Sequence, residues 1–239
     1  MKRLVRYVMG RRSPKVSDEP PGCPKLLIFD FDGTIADTFA AGLEILNLLS
    51  DEFGFRRLEH EDIEKARDMR TRQLMKFLGI PMSKMSRIAR RGSEELSSRM
   101  QDIEPLPGMP EAVRELKDMG FSLGIITSNT EANVTMFLRK FDLDVFDFVR
   151  CSSKLLGKAH EIRSVLKERK LAHREAFFIG DETRDIEASQ KAGIRIAAVT
   201  WGYNSTRSLE AMEPDLVFSE AGDLVDYLKA LCPVPAPSV

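Results

Sequence analysis

The sequence predicts an α/β protein, a doubly wound parallel sheet with an all-α subdomain inserted into it. Three observations lead there. Short apolar runs of strand length alternate with amphipathic helical patterns through most of the chain. Such alternation builds right-handed βαβ units, in which helices cover both faces of the sheet. From Phe39 to about Pro105 the rhythm stops and only helical patterns remain. The length, 239 residues with 43% apolar, suits one large domain with a smaller companion and supplies enough apolar surface for a core.

In the first 24 residues Lys2, Arg3, Arg6, Arg11, Arg12 and Lys15 face only Asp18 and Glu19, a net charge of +4 that leaves -5 for the rest. This reads as a basic flexible tail; an Arg-rich, acid-poor start is also the signature of a transit peptide. Arg6 interrupts the apolar patch Leu4–Met9, which is too short for a secretory core. After the punctuation of Pro20, Pro21, Gly22 and Pro24 comes the first strand, Lys25–Phe29. Helical spacing then covers Phe39–Phe53, Glu61–Arg67, Thr71–Leu78 and Ser83–Met100, with stops at Gly79-Ile80-Pro81 and Leu106-Pro107-Gly108. The alternation resumes with strands at Ser122–Ile126, Val145–Val149, Ala176–Ile179, Ile194–Val199 and Leu216–Phe218. Helices at Glu111–Met119, Glu131–Phe141, Lys158–Lys170, Thr183–Ala192 and Ala221–Leu231 stand between and after them. The expected organisation is a tail over 1–24, an α/β core from 25–38 and 106–232, a helical subdomain over 39–105, and a Pro-rich tail over 233–239.

Charge and cysteine content narrow the functional classes. Thirty-six basic residues against 37 acidic ones give a formal net charge of -1, which argues against nucleic acid as a partner. No apolar stretch is long enough to span a bilayer, so no membrane insertion is expected. Cys23, Cys151 and Cys232 are odd in number and widely spaced. They suggest neither a zinc pattern nor a disulfide framework, and point to a reducing, cytoplasmic setting.

The candidate site lies in the residues just beyond each strand, because parallel sheets bind ligands at their carboxyl ends. The first strand runs into Asp30-Phe31-Asp32-Gly33-Thr34, the second into Thr127-Ser128-Asn129, and the fourth into Gly180-Asp181-Glu182-Thr183-Arg184-Asp185. Lys158 opens a helix, where the helix dipole disfavours a cation unless an anion lies close. Asp30, Asp32, Asp181 and Asp185 gathered at one edge would repel one another without a cation, and oxygen ligands on a compact site suit Mg²⁺. Any one of these aspartates reads better as an N-cap or turn residue; the four together with a Thr and a Lys do not. Thr127 and Ser128 are candidates to bind phosphate, and Ser128 to Glu131 fits a capping box with Ser128 as the N-cap. His60, His160 and His173 join no triad and read as surface residues, and Trp201 and Tyr203 read as packing residues at the edge of the site.

These residues, DFDGT over 30–34, Thr127, Lys158 and GDETRD over 180–185, resemble in order and spacing the four motifs of the haloacid dehalogenase superfamily of aspartate-nucleophile phosphohydrolases. The resemblance covers about residues 25–231, and the helical insertion resembles the α-helical cap of its phosphoglycolate phosphatase-like members. It implies that Asp30 is the nucleophile and Asp32 the general acid and base. It also implies that Thr127, Ser128 and Lys158 hold the phosphoryl group, and that Asp30, the backbone carbonyl of Asp32, Asp181 and Asp185 serve the Mg²⁺. Asp185 would act through water or by orienting Lys158, with Glu182 as its alternative. The implied function is a Mg²⁺-dependent phosphatase for a small phosphorylated metabolite, phosphoglycolate-like by analogy of the cap. Two other readings stand beside it: a phosphomutase, for which Arg70, Thr71 and Arg72 form the cluster to test, and a receiver-like signalling module. A homodimer is compatible with all three.

Overall fold

The structure, a computed structural model, describes residues 22–152 and 157–233. Residues 1–21 of the expected basic N-terminal tail and 234–239 of the Pro-rich tail therefore lie outside the described residues. Six strands form one parallel sheet: β1 (Leu26–Phe29), β2 (Ser122–Thr127), β3 (Phe148–Cys151), β4 (Ala176–Gly180), β5 (Arg195–Val199) and β6 (Leu216–Phe218). Their order is β3-β2-β1-β4-β5-β6, a Rossmann-like arrangement in which the order reverses beside β1. Strand β1 is buried along its whole length, as expected for a central parallel strand reading LLIF.

Helices cover both faces. One apolar layer joins Leu27, Phe29, Leu123 and Phe177 of the sheet to α5 (Met109–Asp118), α6 (Glu131–Lys140) and α10 (Ala221–Leu231). The other joins Leu26, Ile28, Phe178 and Ile196 to α7 (Lys158–Arg169), α8 (Thr183–Ala192) and α9 (Thr206–Glu210). Alternate residues of one strand feed opposite layers, which is the two-residue period of the pleat.

Between β1 and β2 stand α1 (Phe39–Phe53), α2 (Ile63–Arg67), α3 (Thr71–Leu78) and α4 (Met85–Arg99). They bury a third cluster of their own, including Ile45, Leu49, Phe53, Leu78 and Ile88. Each of these helices is amphipathic, and a separate cluster is what their apolar faces require. Among the described residues no helix is long and apolar enough to cross a membrane.

Three expectations need correction. Strand β3 begins at Phe148, not Val145. Val145 and Phe146 pack against the core from a turn, while the Asp147 carboxylate accepts from Ser122 Oγ and the Leu123 N–H and so starts the strand late. Helix α6 begins at Glu131 with Thr130, not Ser128, as its N-cap: the Thr130 hydroxyl accepts from the Asn133 N–H. Ser128 is left in the loop that leaves β2. The third correction concerns the cysteines. Cys23 and Cys232 form a disulfide with a Cα–Cα distance of 5.2 Å, although 209 positions separate them. The approach to β1 and the end of α10 meet at one place, and linear spacing does not reveal that meeting.

Candidate active site

Strand β1 lies between β2 and β4 in parallel register, Phe29 opposite both Ile125 and Ile179. The carboxyl ends of the three strands therefore align, and the residues after them converge. The Asp30 N–H donates to the Ile179 carbonyl, which holds the aspartate where β1 ends. The chain then turns through Gly33, whose φ of 74° is open to glycine at little cost. A Cβ there would come within 2.4 Å of an Asp181 oxygen. The turn thus brings motif residues of β1 directly onto those of β4.

Asp30 is buried. One oxygen accepts from the Phe31 N–H at 2.7 Å, and the other lies 2.5 Å from Lys158 Nζ. Lys158 reaches from the first turn of α7 and also donates to Asp185 Oδ1 at 2.6 Å. The second oxygen of Asp185 accepts from the Glu182 N–H. Burial disfavours the charged form of Lys158, but Asp185 and Asp30 outweigh it and raise the pKa of the ammonium. The helix-start lysine is explained by these two anions.

Asp181 is completely buried and restrained on both oxygens. Thr34 Oγ1 donates to one, and the Tyr203 N–H donates to the other, each at 2.7 Å. Gly202 passes so close that a Cβ would lie 2.1 Å from the same carboxylate. Burial raises both Asp30 and Asp181 above the usual carboxylate range, and their acidic neighbours push the same way.

Asp30, Asp181 and Asp185 each offer an oxygen, all within 4.8 Å of one another. Three buried carboxylates with oxygen-only donors fit a hard divalent cation, whose charge would relieve the mutual repulsion. Glu182 is not in this cluster; it pairs with Arg184 Nη2 at 2.5 Å.

Asp32 points elsewhere. Both its oxygens face Asn129 Nδ2, at 3.0 and 3.2 Å. Asn129 is itself oriented, because its side-chain oxygen accepts from the Thr130 N–H and from Asn133 Nδ2. Burial raises the Asp32 carboxyl above its ordinary value, and the Asn129 hydrogen bond opposes the rise. A half-buried carboxyl with a raised pKa, beside a buried carboxylate, suits an acid next to a nucleophile. Thr127 is fully buried at the end of β2, its hydroxyl accepting from the Asn129 N–H. Ser128 is exposed beside it.

The sequence-predicted residues thus come together, with Asp32 on the Asn129 side and the acidic cluster on the β4 side. The reading from sequence missed Asn129, Thr34 and Arg184. Each lay inside a quoted motif, yet a side-chain amide, hydroxyl or guanidinium declares a partner only once the fold supplies one. It also undervalued Trp201 and Tyr203. Trp201 Nε1 donates to the Thr34 carbonyl, and the Tyr203 hydroxyl donates to the Thr38 carbonyl at the root of the helical subdomain. The three histidines are exposed, as expected.

Arg67, at the end of α2, carries the helical subdomain to this edge. Its guanidinium donates to the carbonyls of Gly202 and Tyr203. Asn204 Nδ2 returns two bonds, to the carbonyls of Arg67 and Met69, while its oxygen accepts from the Thr183 N–H. Arg70 Nη1 lies 3.8 Å from Glu187 of α8, and Arg72 is exposed.

Residues 27–199 match the family model described as haloacid dehalogenase-like hydrolase. The chain is 28% identical over 206 residues to a phosphoglycolate phosphatase of Synechococcus elongatus, covering 86% of this chain and 97% of that one. It is 26% identical over 222 residues to a pyrophosphatase of Bacillus cereus, covering 84% and 95%. Among solved structures, a predicted phosphatase from Clostridium acetobutylicum superposes with a TM-score of 0.75 at 20% identity, covering 88% of this chain and all of that one. A predicted phosphoglycolate phosphatase from Haemophilus somnus gives 0.69 at 17% identity, over 85% and 97%. The chain belongs to the haloacid dehalogenase-like hydrolases and is one of that family's phosphatases.

Proposed function

We propose that this phosphatase hydrolyses a small phosphate monoester of the phosphoglycolate type, with Mg²⁺, through an aspartyl-phosphate intermediate. The observation that carries the reading is the pairing of two unlike carboxylates. Asp30 is buried against Lys158, while Asp32 is held by an amide. The difference supports an attacking role for Asp30 and a proton-moving role for Asp32.

An oxygen of Asp30 attacks phosphorus, and the bond from phosphorus to the leaving oxygen breaks. Asp32 gives its proton to that oxygen and becomes a carboxylate. In the second half Asp32 takes a proton from water, the water oxygen attacks phosphorus, and the bond to Asp30 breaks to release phosphate. Lys158 and Thr127 bind phosphoryl oxygens and stabilise the charge of the transition state. Asp185, which fixes Lys158 at 2.6 Å, is a positioning residue for it. Asp30, Asp181 and the backbone carbonyl of Asp32 would hold the Mg²⁺, which supplies a counter-charge to the phosphoryl oxygens.

The helices over 39–105 act as a cap over the ester, a role supported by their bonds to Gly202–Asn204 beside Asp181. The phosphomutase reading gains no support from Arg70, which is paired with α8. Action on a small metabolite, without nucleic acid, fits the charge balance. The expectation of a cytoplasmic setting rests on cysteines without a disulfide, and the Cys23–Cys232 bond removes that ground. The chain is also compatible with a homodimer.

The test is turnover of a panel of phosphorylated metabolites with Mg²⁺, together with trapping of acid-stable phosphate on the protein. Phosphoglycolate should rank high, and chelation should stop the reaction. Turnover that survives Asp30→Asn with no trapped phosphate would overturn the mechanism.

A further inference from the structure

Arg184 has no part in the chemistry described above, yet it stands within it. It occupies the first turn of α8, directly before Asp185. A cation there opposes the helix dipole. Its Nη2 lies 2.5 Å from Glu182 and 3.5 Å from Ser128 Oγ, so the guanidinium reaches across from α8 toward the loop after β2. Its charge is felt at Asp30, Asp32 and Lys158. The Nε–H is buried and meets no acceptor among the described residues. The side chain as a whole keeps 25% of its surface exposed, against 2% for Asp30, so it stands on the solvent side of the nucleophile.

A count of donors decides what this cation is for. A phosphoryl group under attack has three free oxygens. In the mechanism proposed above, Lys158, Thr127 and a divalent cation held by Asp30 and Asp181 would serve them. That leaves Arg184 over from the phosphoryl group in this assignment, and its exposure puts it nearer solvent than the nucleophile, where the rest of a substrate would lie. Guanidinium groups hold carboxylates and phosphates through two parallel N–H donors, and an unmet Nε–H is one half of such a fork.

We propose that Arg184 is a specificity-determining residue that binds a second anionic group on the leaving-group side of the ester, exchanging part of its bond to Glu182 for that anion. This rests on the phosphatase reading and narrows its substrate class to phosphoryl compounds with a second negative group a few bonds from phosphorus. The second anion is a carboxylate, as in phosphoglycolate, or a second phosphoryl group, as in pyrophosphate.

The experiment compares kcat/KM for phosphoglycolate, pyrophosphate and hydroxyethyl phosphate, which has a neutral hydroxyl in place of the carboxylate. The wild type should favour an anionic substrate, and the one it favours identifies the second anion. Charge-assisted hydrogen bonds of this kind lead one to expect that Arg184→Gln lowers the ratio of anionic to neutral substrate about 10- to 150-fold. Arg184→Lys, which keeps the charge and loses the fork, should recover part of it. Equal losses on both substrates would overturn the inference, because they would place Arg184 at the phosphoryl group or in the support of α8. The same comparison is made without turnover in Asp30→Asn protein, by calorimetric titration with phosphoglycolate and with inorganic phosphate. There Arg184→Gln should weaken phosphoglycolate more than phosphate, and equal weakening would also overturn the inference. If the wild type hydrolyses no ester, an activated aryl phosphate included, the function fails while the titration still tests Arg184. Unfolding temperature identifies any variant that has merely lost its fold.

Discussion

Asn129 shows how one side chain sets the chemistry of another. Its amide donates to both oxygens of Asp32 and so favours the charged form, while burial favours the neutral one. Asn129→Ala removes the opposing influence, and the Asp32 pKa should rise further. Cleavage of an alkyl ester needs Asp32 protonated, so the alkaline limb of its kcat/KM profile should move to higher pH. A limb that stays in place, in a variant with normal unfolding temperature, would separate Asp32 from the proton. Asp32→Asn is the harsher change and should cost ~10²–10⁴ in rate with an alkyl leaving group. An activated aryl phosphate needs little protonation and should still form phosphoenzyme, which then accumulates. Single-turnover rates and protein-bound phosphate for both substrates check this directly. Asp30→Asn should abolish turnover altogether, since an amide is a poor nucleophile, with the fold retained by an isosteric side chain.

At the scale of elements, the segment Trp201–Ser205 joins pieces of the molecule that the chain keeps far apart. It touches Asp181 through the Tyr203 N–H, the root of α1 through the Tyr203 hydroxyl, and the end of α2 through Gly202 and Asn204. Gly202 is where this packing is tightest. Gly202→Ala would push a methyl group into Asp181, and overpacking of this kind costs about 1–3 kcal/mol. Part of that cost should fall on the carboxylate. The Mg²⁺ concentration for half-maximal activity should rise, and the gain in unfolding temperature on adding Mg²⁺ should shrink. A wild-type response to the metal would mean that Asp181 does not hold it. Arg67→Ala tests the other end of the segment. It removes the donors to Gly202 and Tyr203, so amide hydrogen exchange should quicken over Ile63–Arg67 while the exchange of β1 stays slow.

For the whole molecule, the Cys23–Cys232 disulfide closes nearly the full chain into a loop. In the chain-entropy account a loop of this size is worth up to about 5 kcal/mol, through the unfolded state. Reduction, or the double replacement of both cysteines by serine, should therefore lower the unfolding temperature. Activity below that temperature should be unchanged, because the bond joins the approach to β1 with the end of α10 rather than the carboxyl ends of the strands. Calorimetry with and without reductant measures the effect; equal unfolding temperatures would show that the bond adds nothing to stability.

The parallel sheet, its helical insertion and the polar residues after β1, β2 and β4 were legible from the sequence. Apolar runs such as LLIF and AFFI have one stable home, a central strand buried on both faces, and the residues just beyond such strands must share an edge. What the linear pattern did not hold was every relation made by a side chain across the fold. Asn129 on Asp32, Thr34 on Asp181, Arg67 on the Gly202 carbonyl and the pairing of Cys23 with Cys232 join residues up to 209 positions apart. The start of β3 and the cap of α6 belong with them, because hydrogen bonds to Asp147 and Thr130 set those boundaries. Local periodicity reports which face of an element is apolar, since that is decided by burial alone. Which polar atom meets which is decided by distances of about 3 Å between elements, and only the packed tertiary structure determines those.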